Sequence, residues 1–362
     1  MRLLIAAGGT GGHVFPGLAI AEELRAQEPE SPVLFVGTRA GIEARLVPSH
    51  GYPFEVIVVS GLRRVGLRGL LRGLLRLPSA LVQSARIVRR FRPDVVVGIG
   101  GYASGPVVLA AALLGRPTVL AEPNSVPGFA NRLLGRFARV VCVAFESAGA
   151  AFARGKVRMT GNPVRRGLRE GGAPSRLPTD ISTPALLVMG GSQGARGLNR
   201  LVCEALVLLA RRSVRFTATH QAGAADLDAM RARYADAGVA VEGTAFIDDV
   251  AAAYRGADLV IARAGATTLA ELEVAGRPAV LLPYPFAADD HQWHNARPLV
   301  EAGAALVFRE SQMTAERFAE ELAGLLREPT RLEAMGRAMS ARGRPDAAAR
   351  ILDECRKVAR CA

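Results

Sequence analysis

The chain has almost no lysine: of its 46 Lys and Arg residues only Lys156 and Lys357 are lysines, so arginine carries the formal charge of +13. Aromatic residues are scarce at 5%, with Trp293 the single tryptophan. No acidic residue lies between Val56 and Pro93, where nine arginines fall between Arg63 and Arg92. Without aromatic side chains to stack on bases, that basic stretch argues against single-stranded nucleic acid as the partner. The four cysteines, Cys142, Cys203, Cys355 and Cys361, form no C-x-x-C pair, the pattern of reduced thiols in a cytosolic protein. No segment approaches the roughly 18 apolar residues of a membrane span. The apolar run at the N-terminus is broken by glycines after about five residues, too early for a signal peptide. A soluble or at most peripheral protein is expected.

Half of the 362 residues are hydrophobic, and 39 Gly with 21 Pro supply turns, which suits two globular α/β domains. Arg2-Leu-Leu-Ile-Ala-Ala7 reads as a buried strand. It enters Gly8-Gly-Thr-Gly-Gly-His13, and helix formers follow Pro16. Backbone N–H groups in such a turn, with the positive end of the next helix, favour an anionic or strongly polar ligand. The plan recurs at Ala185–Met189 and Gly190-Gly-Ser-Gln-Gly-Ala-Arg-Gly197. Further strands are expected at Val33–Val36, Phe54–Val59, Val95–Ile99, Thr118–Leu120 and Val140–Val143. In the second half they fall at Arg215–Thr219, Val239–Glu242, Leu259–Ile261, Ala279–Leu282 and Ala305–Phe308, with helices beyond Thr314. Gly161 to Pro184 reads as a linker. The simplest assembly is two doubly wound, Rossmann-like domains with parallel sheets facing a deep cleft, where ligands bind in such folds.

A dinucleotide site fits poorly. Neither glycine turn completes G-x-G-x-x-G, and the second strands end in Gly37-Thr38 and Thr219-His220, without the acid that holds a ribose. Neither turn carries the Lys-Ser/Thr of a phosphate-binding P-loop. Within Leu62–Leu77 a helix sorts Arg64, Arg68, Arg72 and Arg76, then Leu67, Leu70, Leu71 and Leu74, then Gly66, Gly69 and Gly73 onto three faces. Each interior glycine costs about 1 kcal/mol relative to alanine. Two readings stand: a surface helix burying leucines in its own domain, or leucines entering a bilayer boundary while arginines hold anionic lipid.

His13, at a helix start, can serve as general base near neutral pH or simply fix its loop. Gly98-Ile-Gly-Gly-Tyr-Ala-Ser-Gly105 and Glu122-Pro-Asn-Ser125 place more donors, Asn124 among them, on the same rim. In Arg263-Ala-Gly-Ala-Thr-Thr-Leu-Ala-Glu271, Thr267 or Thr268 is expected to cap a helix. Glu271 then lies one turn in, either gripping two ribose hydroxyls or closing a capping box. His291 and His294 lack further ligands for zinc. Asp226-Leu-Asp228, a possible divalent-ion motif, reads as solvated surface.

Together, Gly8–Gly17, Gly100-Gly-Tyr-Ala-Ser-Gly-Pro106, Gly190–Ala195, Arg263–Glu271 and His291-Gln-x-x-Asn-Ala296 resemble, in order, the motifs of the MurG family. These peptidoglycan N-acetylglucosaminyltransferases turn lipid I into lipid II. The resemblance implies a GT-B fold whose C-terminal helix returns to the first domain. Residues 1–162 with 341–362 would bind acceptor and membrane, and residues 163–340 would bind UDP-GlcNAc. It implies inverting transfer of GlcNAc to the C4 hydroxyl of the muramic acid of lipid I, with no cofactor or tightly held metal. It also implies peripheral attachment, through Leu62–Leu77, to the anionic cytoplasmic face of the plasma membrane. Residue by residue, Ile247 would meet uracil and Glu271 the ribose. Ser192 and the helix start at Ala266, Thr267, Thr268, Leu269 and Ala270 would meet the diphosphate, and Gln292 the sugar. Thr10, Gly11, Gly12, Asn124 and Arg165 match further donor-contacting positions. His13 matches the proposed base, and Glu271 is counted with it among the catalytic residues. Nucleic acid has no place in this reading.

Overall fold

A computed structural model describes residues 1–59, 66–170, 183–191 and 195–360, with the backbone alone over 66–76. It divides into two compact units, Met1–Arg166 with Arg344–Ala362, and Gly167–Gly343.

In the first unit β1 (Leu3–Ala7), β2 (Val33–Gly37), β3 (Phe54–Val56), β4 (Val95–Gly100), β5 (Thr118–Glu122), β6 (Val140–Val143) and β7 (Val157–Met159) form one sheet in the order β3-β2-β1-β4-β5-β6-β7. Every pairing is parallel. Helices α1 (Gly11–Gln27), α2 (Glu43–Ser49), α3 (Gly66–Phe91), α4 (Ser104–Leu113), α5 (Phe129–Leu134) and α6 (Glu146–Gly149) connect the strands. β1 is buried throughout, because a parallel sheet is covered on both faces. Alternation sends Leu3 and Ile5 to a core shared with Val14 and Leu18 of α1. Leu4 and Ala6 face the opposite core, with Ile87 of α3 and Val107 of α4.

The second unit starts at Gly167, inside α7 (Arg166–Glu170), and builds its sheet from β8 (Ala185–Met189), β9 (Thr217–Gln221), β10 (Val241–Thr244), β11 (Leu259–Ala262), β12 (Ala279–Leu281) and β13 (Ala305–Val307). The strand order is β10-β9-β8-β11-β12-β13, again all parallel. Its helices are α8 (Arg196–Arg211), α9 (Leu227–Asp236), α10 (Val250–Gly256), α11 (Ala266–Ala275), α12 (His291–Glu301), α13 (Ala315–Leu326) and α14 (Pro329–Ser340). Last comes α15 (Ala347–Arg360), which belongs to the first unit and buries Ile351, Leu352 and Cys355 in its core. Arg356 there pairs with Glu28 at 2.9 Å, and the N-terminal ammonium of Met1 reaches the same carboxylate at 2.9 Å.

Three expectations change. The supposed linker begins inside the fold: Gly161, Asn162, Pro163 and Val164 are buried, and α7 follows. The basic helix is longer than Leu62–Leu77, running from Gly66 through Pro78 to Phe91; residues 62–65 and the side chains of 66–76 lie outside the described residues. Asp226 is not merely solvated, because its carboxylate accepts a bond from Asn199 Nδ2 at 2.9 Å and faces Arg196 at 3.4 Å.

Candidate active site

In an open parallel sheet the loops on either side of a reversal in strand order leave a crevice at the carboxyl ends of the strands. Here the reversals lie between β1 and β4 and between β8 and β11.

In the second unit, β8 runs into Gly190-Gly191, where Gly191 has φ 92°. Ser192 lies outside the described residues. Beside this turn, β11 gives way to Arg263-Ala-Gly265 and then α11. Gly265 is the N-cap, with φ −68° and ψ 139°. Thr267 and Thr268 are therefore not the N-cap: the helix has already begun at Ala266, and Gly265 makes no side-chain cap bond. The start of α11, at Ala266, Thr267, Thr268 and Leu269, is the positive end of its helix dipole, which favours an anion.

Glu271 is the sixth residue of α11, whereas a capping box needs its acid at the third. Its side chain is buried, 3% exposed, and accepts a bond from the Tyr254 hydroxyl of α10 at 3.4 Å. That removes the capping reading. Ile247 is buried in the loop before α10, a loop braced by Thr244 Oγ1 on the Phe246 carbonyl and by Asp249 capping α10. Gln292, second residue of α12, accepts the Tyr284 N–H at 2.8 Å through Oε1. Its Nε2 lies 4.0 Å from where a Cβ on Gly265 would sit, so the amide faces the start of α11. Asn295 ties the same helix to the Ala264 carbonyl at 3.4 Å. Ala266, Thr267, Leu269, Ala270, Glu271 and Gln292 thus lie around one helix terminus.

In the first unit the turn after β1 is organised by a carboxylate that the sequence reading left out. Glu43, first residue of α2, is fully buried. Oε2 accepts the Gly9 N–H at 3.0 Å, and Oε1 accepts the Thr38 N–H at 2.9 Å and its hydroxyl at 2.8 Å. The N–H groups of this turn are therefore not all offered to a ligand, as had been expected, because Gly9 is spent on Glu43. Gly101 (φ 79°) lies so close to the Gly8 carbonyl that any Cβ would overlap it. The two glycine turns of this unit pack backbone to backbone.

His13 Nδ1 lies 3.3 Å from the Thr10 hydroxyl oxygen. The other edge of its ring lies against Gly100, whose missing Cβ would sit 3.1 Å from Nε2 and 3.7 Å from Asn131 Nδ2. Asn131 in turn donates to Glu122 Oε2 at 3.0 Å. Glu122, at the end of β5 and 2% exposed, also accepts the backbone N–H groups of Asn124 (2.9 Å) and Gly128 (3.0 Å) and the Asn124 amide (3.3 Å). Burial outweighs these bonds and raises its pKa above the ordinary carboxyl value. Asn124 and Asn131 are thereby joined through Glu122, and Thr10 contacts His13 beside Gly100. Arg165 stacks its guanidinium 3.9 Å over the Phe15 ring of α1, two residues from His13. Gly11 is buried and Gly12 exposed in the first turn of α1. Among the described residues no group of three or more His, Cys, Asp or Glu side chains is arranged to hold a metal ion.

Residues 3–143 match the glycosyltransferase family 28 N-terminal domain and residues 185–351 its C-terminal domain. A Myxococcus xanthus protein named UDP-N-acetylglucosamine--N-acetylmuramyl-(pentapeptide) pyrophosphoryl-undecaprenol N-acetylglucosamine transferase is 50% identical over 355 residues, 98% of this chain and 92% of the relative. The chain belongs to the MurG family. A MurG-family relative of the same name from Syntrophotalea carbinolica is 48% identical over 99% of both chains. The crystal structure of Acinetobacter baumannii MurG superimposes with a TM-score of 0.79 at 34% identity, covering 99% of this chain and all of that one. A UDP-N-acetylglucosamine 2-epimerase shares the fold alone, with a TM-score of 0.70 at 14% identity over 98% of this chain and 95% of its own. The GT-B architecture expected from the sequence agrees with these likenesses in its two parallel-sheet α/β units.

Proposed function

We propose that this chain transfers GlcNAc from UDP-GlcNAc to the C4 hydroxyl of the muramic acid of lipid I, with inversion and without a metal ion, giving lipid II. The observation that carries the reading is the group at the start of α11. A buried carboxylate (Glu271), a helix terminus without a side-chain cap and a facing amide (Gln292) converge there. A carboxylate can accept both hydroxyls of a ribose. The helix terminus stabilises the charge that develops on the diphosphate as it leaves. The amide hydrogen-bonds sugar hydroxyls. Ile247 and Ser192 complete the nucleotide contacts in this assignment.

The first unit supplies acceptor and base. As the C4 oxygen bonds to the anomeric carbon, the bond from that carbon to UDP breaks and the hydroxyl proton passes to His13 Nε2. That transfer needs the tautomer with its proton on Nδ1, where the Thr10 hydroxyl oxygen accepts it, and Glu122, bonded to Asn124 and Asn131, shapes the surrounding rim. Thr10, Gly11, Gly12, Asn124 and Arg165 are assigned to the donor's sugar end. A lipid-linked acceptor gives the basic α3 a purpose: its arginines hold anionic headgroups at the cytoplasmic face of the plasma membrane. Exposed Leu113, Phe129, Leu133 and Phe137 on the same unit, with exposed Arg132 and Arg136, support this peripheral attachment. No helix among the described residues is long and apolar enough to cross a membrane.

The test is product analysis. Incubation with UDP-GlcNAc, a lipid I analogue and EDTA should give a β-linked disaccharide identified by NMR. An α linkage would contradict inversion, and loss of product in EDTA would contradict the metal-free mechanism.

A further inference from the structure

Arg309 and Glu310 lie two and three residues beyond the end of β13 and reach different partners. Glu310 Oε2 pairs with Arg263 Nη1 at 2.7 Å, in a pair whose side chains are 10% and 20% exposed. The same Arg263 nitrogen donates to the Leu282 carbonyl at 2.9 Å. On its other side the Glu310 carboxylate packs on Gly197, in the first turn of α8, where any Cβ would overlap it. Glu310 therefore joins the start of α8 to the turn before α11 and, through Arg263, to Leu282 just beyond β12.

Arg309 reaches the start of α12. It bonds Asp290 Oδ2 at 2.7 Å and lies 4.2 Å over the Trp293 ring. Asp289 and Asp290 are both left-handed, with φ 54° and 50°, a conformation that side chains disfavour and that surrounding contacts must hold. Gln292 stands between Asp290 and Trp293 in the sequence, so the clamp holds the chain on either side of it.

We propose that these adjacent residues are positioning residues for the two ends of one ligand. Glu310 sets the helix starts that face the diphosphate, and Arg309 sets Gln292 against the hexose. This rests on the donor reading above and assigns to it two residues that touch no ligand in that reading. Arg309 and Asp290 are partly exposed, 40% and 37% at the side chain, so their pair adds little to stability and its effect is on geometry.

The test is calorimetric titration of the whole chain with UDP and with UDP-GlcNAc, alongside thermal unfolding. Arg309→Ala should weaken UDP-GlcNAc about fivefold while leaving UDP within about twofold and the melting temperature nearly unchanged. Arg309→Lys should recover only part of the loss, because an ammonium lacks the planar face that lies over Trp293. Glu310→Ala should weaken both ligands by about tenfold alike, by leaving a buried guanidinium without its counter-charge. If that variant does not fold, Glu310→Gln keeps the shape and should show the same equal loss at smaller size. Equal loss of both ligands in Arg309→Ala, or no loss, would overturn the proposal, as would a UDP-GlcNAc-specific loss in the Glu310 variants. Wild-type protein that bound neither nucleotide would instead remove the donor reading itself.

Discussion

Replacing Glu43 by glutamine isolates what the buried carboxylate does for the glycine turn. The carboxylate accepts three bonds, one from Gly9 and two from Thr38. An amide of the same shape can keep the Thr38 pair on its oxygen, but its NH2 then faces the Gly9 N–H, donor against donor. One buried donor left without a partner costs about 1–3 kcal/mol. For a unit of this size each kcal/mol lowers the melting temperature by about 2–4 °C, so a fall of about 5 °C is expected in scanning calorimetry. The turn released from Gly9 also carries Thr10 and His13, and a base displaced by about 1 Å can lose a hundredfold in rate. Steady-state turnover should therefore fall at least about tenfold, while calorimetric UDP affinity, set in the other unit, changes little. A variant that melts and turns over like wild type would refute the bracing role. A lower melting temperature with normal turnover would refute the link from Glu43 to His13.

Other outcomes are equally specific. His13→Ala should lower kcat by about 10²–10⁴ with UDP affinity retained, whereas Glu271→Ala should weaken UDP itself; the same binding loss in both variants contradicts the division of roles. His220 is fully buried, bonded to Tyr234 and Asn199, and burial holds its pKa down to about 4 against an ordinary 6.5. Between those values the unfolded chain binds the proton and the folded one does not. Its contribution is thus intact above about pH 6.5 and falls by about 3 kcal/mol as the pH drops to about 4. His220→Gln should flatten that part of the stability–pH curve, and an unchanged slope would assign the effect elsewhere. Serine at Leu70, Leu71 and Leu74 should reduce sedimentation with anionic liposomes yet spare activity on a soluble acceptor; undiminished sedimentation would remove the membrane role of α3.

The alternation of strands and helices was legible because buried parallel strands must be apolar, as in Leu3–Ala7 and Ala185–Met189. Both glycine turns lay where the strand order reverses. Edges were less visible. β7, three residues with Arg158 at its centre, has no apolar run to announce it. β9 begins two residues later than expected, at Thr217. The C-terminal side of β3 was overextended, because the chain leaves the sheet after Val56 and Val58 N–H turns to Gln83 instead. The cap of α11 differs from the expectation because threonine and glycine serve about equally well as N-caps, and the helix here starts from an extended Gly265. Glu43 and Glu122 were missed as organising groups for a different reason. Each reads as an ordinary acid until the fold brings backbone N–H groups to it, and Gly9 is 34 residues from Glu43. Glu43 also lies beyond the end of the second strand, outside the spacing by which a ribose-binding acid is sought. Gln292 was named through the resemblance of His291-Gln-x-x-Asn-Ala296, but its place opposite α11 depends on the left-handed turn at Asp289 and Asp290, which sequence spacing does not reveal.

The central claim is acceptor-dependent transfer from a nucleotide sugar. Its most direct test is UDP release from UDP-GlcNAc in EDTA, with and without a lipid I analogue. Release that appears only with the acceptor is the predicted result. Release without it, or none while UDP-GlcNAc still binds, would contradict the transferase account and the assignment of His13 together.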